Sequence, residues 1–594
     1  MKSIERVRLT WGGVGADLMS RIPMMGARLG AVAASIALVI AAPRALAQSQ
    51  SFDILIVNGW VLDGSGNPEV LADVGVRGDQ IAAVGSLKGA TAKRTVDAKG
   101  KYVVPGFIDV HSHADRDLRG DNEKARTAPN LISQGITTIV GGPDGRSGWP
   151  IAAEMKTLST KGIPVNFVPM VGHGTVRQLV MKEDFKREAT AKEIEAMRKL
   201  VHQGMEDGAW GMGAGPEYVP GLFSSTEELI ALAKEVAPYD GFYYAHQRSQ
   251  SPIPLWQLPS MVKGPSLTGT DGMKETIRIG REAGIRVVGS HIKAKGEDMW
   301  GQSSIDINLI KRARQEGVQV YLDQYPYNTF GGGATAVIPD WGFAKHGTDP
   351  MVFVTSRLEI TPAEAKDNLR KNLADSRTRA LLMRDTEYTL VMQGNASRHV
   401  IVAAPENPSL LGKTLAEVAS ANGRTPVEQL IEFALNAGQI SPSGVLFRPV
   451  AGSDFDVDNY MQQEFTATST DAGVYTGPRP GLHPRYFGSY PRKIGYYARD
   501  KGVITLAHAI RASTSLPAQI VALPDRGLLR VGQKADIVVF DYQRIRDTAT
   551  IEKPDGPSEG IEKVIVNGQF TFEDGKPTGA LPGVVLNRKE VRGL

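Results

Sequence analysis

The chain contains no cysteine among its 594 residues. Disulfides, a thiolate nucleophile and a thiolate metal ligand are therefore excluded, and any bound metal must rest on histidine, carboxylate, lysine-derived or water ligands. Histidine is itself scarce, ten in all, so the position of each one carries information. A membrane-spanning segment is also missing. The apolar run from Leu29 to Ala42 is too short to cross a bilayer. It follows Arg21 and Arg28 and precedes the small-x-small pattern Ala45-Leu46-Ala47, which predicts a signal peptide over residues 1–47 and an exported, periplasmic protein with no stable membrane anchor after cleavage. The leader is long, and Met19, Met24 and Met25 are alternative starts. A basic surface is absent too: residues 1–47 hold six Lys/Arg and two Asp/Glu, and their loss leaves 62 of each sign. The net charge of +4 leaves with the leader and argues for no nucleic-acid partner.

What remains is ordinary in composition, 42% hydrophobic and 22% charged, and long enough for a large core with a second domain. From Phe52 the sequence reads as short strands, Asp53–Val57, Val61–Leu62, Asp73–Val76 and Gln80–Val84, punctuated by glycines. The pattern returns at Ala535–Asp541 and Ile561–Val566, where Val566-Asn567-Gly568 echoes Val57-Asn58-Gly59. This predicts a small β-sandwich domain made by both chain ends, residues 52–104 and 511–594. Between 105 and 510, apolar strands alternate with helical stretches, as in a parallel sheet wound with helices. Phe107–Val110, Thr137–Val140, Val165–Val168, Gly211–Gly213, Gly241–Ala245, Arg286–Gly289, Val318–Leu322 and Thr466–Thr468 supply eight candidates, which favours a closed (β/α)8 TIM-like barrel in an α/β fold. Helices start at Thr190, capped with Glu193 in a capping box, and at Ser225. Residues 328–459, opening on Gly331-Gly332-Gly333, are too long for a simple crossover and predict an inserted subdomain or lid.

Chemistry gathers at strand ends. In Val104-Pro-Gly-Phe-Ile-Asp-Val-His-Ser-His113 two histidines follow a strand with one residue between them, so both rings point the same way and are able to grip one ion. Alone, the pair is equally two ordinary histidines. His246 closes the fifth candidate strand, His291 the sixth, and Asp471, in Thr468-Ser-Thr-Asp-Ala-Gly473, follows the eighth. Four histidines and an aspartate at the carboxyl ends of one barrel's strands define a metal site, with Asp471 as both metal-linked carboxylate and general base.

At this point the chain resembles the amidohydrolase superfamily, and more closely its D-aminoacylase (N-acyl-D-amino-acid deacylase) branch. The resemblance runs through Ile54–Gly64, Pro105–His113, Gln134-Gly-Ile-Thr-Thr138, Gly172-His-Gly-Thr-Val-Arg177, Tyr244-Ala-His-Gln-Arg-Ser249, Ser290-His-Ile-Lys293, Tyr325-Pro-Tyr327, His483-Pro-Arg485 and Gly532–Asp541. It implies metal-dependent hydrolysis of the amide bond of N-acyl-D-amino acids. His246 and His291 would hold a tight Zn2+ with a ligand from the second strand, while His111, His113 and Asp471 would border a second, weaker metal position. Lys293, Tyr325 and Arg485 match positions that touch a small-molecule substrate in the family; an arginine pairs a carboxylate bidentately and a tyrosine hydroxyl steadies an oxyanion.

The chain departs from the branch where a cysteine ligand usually follows the second strand. Val140-Gly-Gly-Pro-Asp-Gly145 places Asp144 there, as a harder ligand or as a turn residue. A serine expected after Tyr325-Pro-Tyr327 is replaced by Asn328-Thr-Phe-Gly. Lys293 and Lys295 follow the ligand histidines, unlike the carboxylated metal-bridging lysine of other superfamily members. His173 lines the site or shapes a turn, His202 and His508 lie in helical stretches, and His346 and His399 fall in the insertion. Trp300 and Trp341 are candidates for an acyl pocket. The rival readings are a dipeptidase, cyclic amidase or other amide hydrolase using the same site, and a catalytically dead periplasmic binding protein.

Overall fold

The computed structural model describes residues 51–254, 257–260, 267–330, 337–347, 361–436, 445–478 and 481–593. The expected leader and Gly331-Gly332-Gly333 lie outside the described residues. Among the described residues, Ser51–Lys88 and the chain from Ala92 onward form one compact unit.

Both chain ends enter one nine-stranded sheet. Its main path runs Lys576–Pro577, Gln569–Glu573, Ile561–Val566, Ile537–Phe540, Tyr102–Pro105, Ser51–Val61, Val70–Arg77 and Gln80–Gly85. The early and late segments meet where Tyr102–Pro105 pairs antiparallel with Ile537–Phe540. Alternation along these strands buries Ile54, Ile56, Val74, Val76, Ile537, Val539 and Ile565 in one apolar layer.

Pro105 ends that strand and Gly106 hands the chain to the next, Phe107–Asp109. A side chain at Gly106 would strike Thr137, so the tight crossing needs glycine. Phe107–Asp109, Ile136–Val140 and Asn166–Val168 pair in parallel. Met170–Gly172, Gly211–Ala214, Phe242–Ala245, Arg286–Gly289, Val320–Gln324 and Thr466–Thr468 form a second parallel sheet in that order. Pro169, which has no N–H to donate, separates Asn166–Val168 from Met170–Gly172. The last strand returns to the first through a parallel bridge between Ser112 and Ala472. All eight sequence candidates are strands, with small shifts: the seventh is Val320–Gln324 rather than 318–322.

These strands are buried on both faces, and Ile136-Thr-Thr-Ile-Val140 shows no exposed position. Helices supply the outer cover. Thr190 and Glu193 form the expected capping box of helix Ala191–Asp207, and Ser225 caps Thr226–Val236 by accepting from the Glu228 amide. Between the seventh and eighth strands, helices Pro362–Ala374, Ser376–Met392, Leu415–Ala421 and Pro426–Leu435 and the antiparallel pair His399–Ala403 with Leu446–Pro449 close around Leu369, Leu382, Leu415, Leu430 and Phe447. Trp341 belongs to that cluster, whereas Trp300 is partly exposed and donates to the Ala451 carbonyl, so the two do not form an acyl pocket.

Gly213, in the fourth parallel strand, lies under the turn that follows the second. A Cβ there would sit 2.1 Å from the Gly142 carbonyl oxygen, a backbone atom held from both sides. Gly213→Ala is expected to cost about 1–3 kcal/mol by forced displacement, seen as a lower unfolding midpoint by circular dichroism. An unchanged midpoint would show that the turn yields freely.

Candidate metal centre

The polar residues collect where the parallel strands end. His111 and His113 follow the first strand on alternate positions that share one face, and their Nε2 atoms lie 3.4 Å apart. Asp471, from the loop after the last strand, places Oδ1 3.1 Å from His113 Nε2 and 3.6 Å from His111 Nε2. His246 and His291, after the fifth and sixth strands, bring Nδ1 and Nε2 within 2.9 Å of each other. Asp144 stands between the two halves. Its Oδ1 is 3.7 Å from His111 Nε2, 3.8 Å from His291 Nε2 and 3.9 Å from His246 Nδ1, and its Oδ2 is 3.5 Å from His113 Nε2.

Three of these residues sit on left-handed backbone: Asp144 at φ 56°, Asp471 at φ 51° and His291 at φ 34°. Such conformations cost on the order of 1–3 kcal/mol for residues with a side chain and persist where the surroundings over-determine them. Local hydrogen bonds do so here. The Asp471 amide donates to the His111 carbonyl at 2.9 Å, and the His291 amide to Asp323 Oδ1 at 2.9 Å.

The donor set suits a divalent ion. His111, His113 and Asp144, then His111, His291 and Asp471, then Asp144, His246 and His291, form groups whose donor atoms lie within 4.8 Å of one another. Imidazole and carboxylate ligands of zinc bind at about 2.0–2.2 Å, so two donors on one ion stand roughly 3–4 Å apart, as they do here. Asp144 Oδ1 is buried and accepts no hydrogen bond, an expensive condition for a carboxylate oxygen unless a cation satisfies it. The expected residues thus converge, and Asp144 faces the histidines rather than only closing a turn.

The electrostatics agree. Burial pushes the Asp471 carboxyl up, but Arg485, His111 and His113 together hold it well below the usual carboxylate range. Burial drives His111 down to about 4 against the pull of Asp471 and Asp144. His113 is desolvated as well, yet its bond to Asp471 and the nearby carboxylates push it up to about 9.

Lys293, Tyr325 and Arg485 also arrive. Lys293 Nζ is 2.9 Å from Gln250 Oε1 and 2.9 Å from His291 Nδ1, and burial pushes its ammonium down to about 7. The Arg485 guanidinium lies 4.7 Å over the Tyr325 ring. One expectation changes: Arg485 Nη1 donates to Asp471 Oδ2 at 2.6 Å, so the arginine read as a substrate clamp first grips the aspartate. His483 holds the arrangement, accepting from the Arg485 amide through Nδ1 at 3.0 Å, with the Tyr325 and Tyr327 rings edge-on at 5.7 and 5.5 Å.

Several further residues enter the site, of which Ser290 lies in the motif Ser290-His-Ile-Lys293 and Gln250 and Glu217 lie in none. Ser290 Oγ lies 2.7 Å from His111 Nδ1, Gln250 Nε2 lies 3.2 Å from His291 Nδ1, and Glu217 Oε2 lies 2.7 Å from His246 Nε2. Tyr218 packs its ring 4.0 Å from that of His246. His173, by contrast, is sealed against Glu228 at 2.8 Å, beside Arg177, and joins none of the metal groups.

The chain is similar to known proteins along most of its length. A model of the amidohydrolase family matches residues 94–239 and 466–572. A D-aminoacylase of Alcaligenes xylosoxydans xylosoxydans is 33% identical over 565 residues, 91% of this chain and 98% of the relative. A solved D-aminoacylase, described for its binuclear metal centre, shares 31% identity at a TM-score of 0.68, covering 90% of this chain and all of that one. A solved N-acyl-D-glutamate deacylase from Bordetella bronchiseptica, complexed with zinc and a phosphonate mimic of the tetrahedral intermediate, shares 28% identity at a TM-score of 0.69, covering 91% and 100%. The chain belongs to the amidohydrolase family. Within that family it falls in the D-aminoacylase branch, with about one third of its residues identical to the named relative along nearly the full length of both.

Asp144→Ala is expected to lower bound metal per chain as read by elemental analysis after dialysis, and Asp144→Cys to restore it with a preference shifted toward softer ions. Full metal content in the alanine variant would return Asp144 to the role of a turn residue.

Proposed function

We propose that this protein hydrolyses the amide bond of N-acyl-D-amino acids, giving a D-amino acid and a carboxylate. The observation that carries the reading is the convergence of His111, His113, Asp144, His246, His291 and Asp471 on one buried spot beside Arg485, Lys293 and Tyr325. Relatives named D-aminoacylase and N-acyl-D-glutamate deacylase support the D-configuration. We further read the two parallel sheets, linked by Ser112 and Ala472, as one closed (β/α)8 barrel, with the sheet of both chain ends as its β-sandwich domain.

Asp144, His246 through Nδ1 and His291 through Nε2 would hold one ion, zinc in our reading, while His111, His113 and Asp471 border a second position that Asp144 also reaches. A divalent ion so held supplies acidified water and a Lewis acid for the acyl carbonyl. The chain's own residues do the rest. Asp471 has one oxygen committed to Arg485 and the other turned toward His111 and His113, so proton transfer falls to Oδ1. That carboxylate takes a proton as the water's oxygen bonds to the acyl carbon, and returns it to the nitrogen as the C–N bond breaks. Arg485 keeps its buried Nε without a hydrogen bond, a donor available to the substrate carboxylate, and Tyr325 presents its hydroxyl to the developing oxyanion.

Asp471→Asn is expected to retain metal while turnover falls by about 10²–10⁴-fold, the usual worth of a general base; a fully active variant would remove Asp471 from that role. With N-acetyl-D-, N-acetyl-L-, dipeptide and cyclic amide substrates compared side by side, turnover of the D-series is expected, and hydrolysis confined to L or cyclic substrates would overturn the assignment.

We also propose export to the periplasm, on the Arg28, Leu29–Ala42 and Ala45-Leu46-Ala47 pattern. Among the described residues no helix is long and apolar enough to cross a membrane. Amino-terminal sequencing of the mature protein should begin at Gln48, and an intact leader on the fractionated protein would refute processing.

A further inference from the structure

Glu217 belongs to none of the motifs, yet it touches the centre directly. It lies in Gly215-Pro-Glu-Tyr218, just beyond the fourth parallel strand, with its side chain only 3% exposed. Its Oε2 is 2.7 Å from Nε2 of His246. The opposite ring nitrogen, Nδ1, is the one that faces Asp144 Oδ1 at 3.9 Å and His291 Nε2 at 2.9 Å. An imidazole whose Nε2–H donates a hydrogen bond to a carboxylate keeps the lone pair on Nδ1, and the same bond fixes the ring's rotation.

We propose that Glu217 is a positioning residue for the metal: it sets the tautomer and angle of His246 so that Nδ1 addresses the ion, which rests on the reading of Asp144, His246 and His291 as ligands. The Tyr218 ring, tilted 40° against that of His246, limits the remaining freedom of the imidazole. Lys295 is a buried cation near the same centre. Burial pushes its ammonium down, and the charge of Glu217 pushes it back up, so a cation lies within electrostatic reach of the carboxylate. The need for such an anchor follows from the donor set. With Asp144 where the branch has a thiolate, this position holds two imidazoles and a hard oxygen, and affinity for a borderline ion such as zinc rests more on the imidazoles.

The test is zinc affinity of the full-length protein by competition with a chromophoric chelator, paired with the unfolding midpoint of the metal-free form. Glu217→Ala is expected to weaken zinc about 10–100-fold, the usual worth of such a partner, with the metal-free midpoint little changed. Glu217→Gln, which still accepts a hydrogen bond, should lose less, and the visible spectrum of the cobalt-substituted protein should shift in both. Wild-type affinity in both variants overturns the proposal. So does a loss that is equal in both and matched by an equal fall in the metal-free midpoint, because that pattern marks a merely structural residue. Should Glu217→Ala fail to fold with the Lys295 charge no longer offset, Glu217→Gln combined with Lys295→Met removes both charges and is judged by the same two measurements. Absence of zinc from the wild-type protein would strike the ligand reading itself, an outcome distinct from a variant effect.

Discussion

The site depends on one junction, where the first parallel strand meets the last. Ser112 bridges Ala472 in parallel, the His113 amide donates to the Ala472 carbonyl at 2.9 Å, and the Asp471 amide donates to the His111 carbonyl at 2.9 Å. Beneath them Asp109 accepts from the Thr470 amide at 3.0 Å and from its hydroxyl at 2.5 Å. Burial pushes the Asp109 carboxyl up to about 7, and the Thr470 and His111 bonds work against that rise. Tyr490 adds its hydroxyl 2.9 Å from the Ile108 carbonyl. Residues 358 positions apart, His113 and Asp471, are brought within 3.1 Å by this clasp. The aspartate of Pro-Gly-Phe-Ile-Asp therefore serves the site by holding a loop, while the histidines after it face Asp471 and Asp144.

Strain is concentrated at the same place. Asp144, His291 and Asp471 all hold left-handed backbone, and each lies in the loop that immediately follows a parallel strand. A rigid strand end fixes where such a loop begins, and hydrogen bonds to Asp323 and His111 fix where it turns. Preorganisation of this kind spends folding energy, supplied by the buried layers around it, on donor atoms that point inward before any ion arrives.

The branch motifs acquire physical meaning when seen together. Tyr325-Pro-Tyr327 and His483-Pro-Arg485 lie far apart in the chain, yet both tyrosine rings pack on His483. His483 in turn orders the amide of Arg485, whose guanidinium covers Tyr325 and grips Asp471. The arginine thus joins Asp471 to the Tyr325 and His483 cluster. Asp144, at the position where the resemblance leads one to expect a cysteine, faces the histidines while this remaining apparatus stands apart from it.

Much was legible in the sequence because it obeys short-range rules. His111 and His113 share a face by strand alternation, Thr190 and Glu193 cap a helix by their spacing, and apolar runs ending in His246 and His291 mark strand ends by composition. These features need only a few neighbouring residues. The contacts of Glu217 with His246, Ser290 with His111 and Arg485 with Asp471 carry no such mark, although Ser290 and Arg485 themselves lie in motifs. Each joins loops from different strands, and the distance between those loops is set by strand order, by the Asp109–Thr470 clasp and by the glycines that let backbones approach. The sequence alone determined which side chains would line the strand ends; only the tertiary structure decided which of them touch, because contact between loops is a property of the strands packed together and not of any one of them.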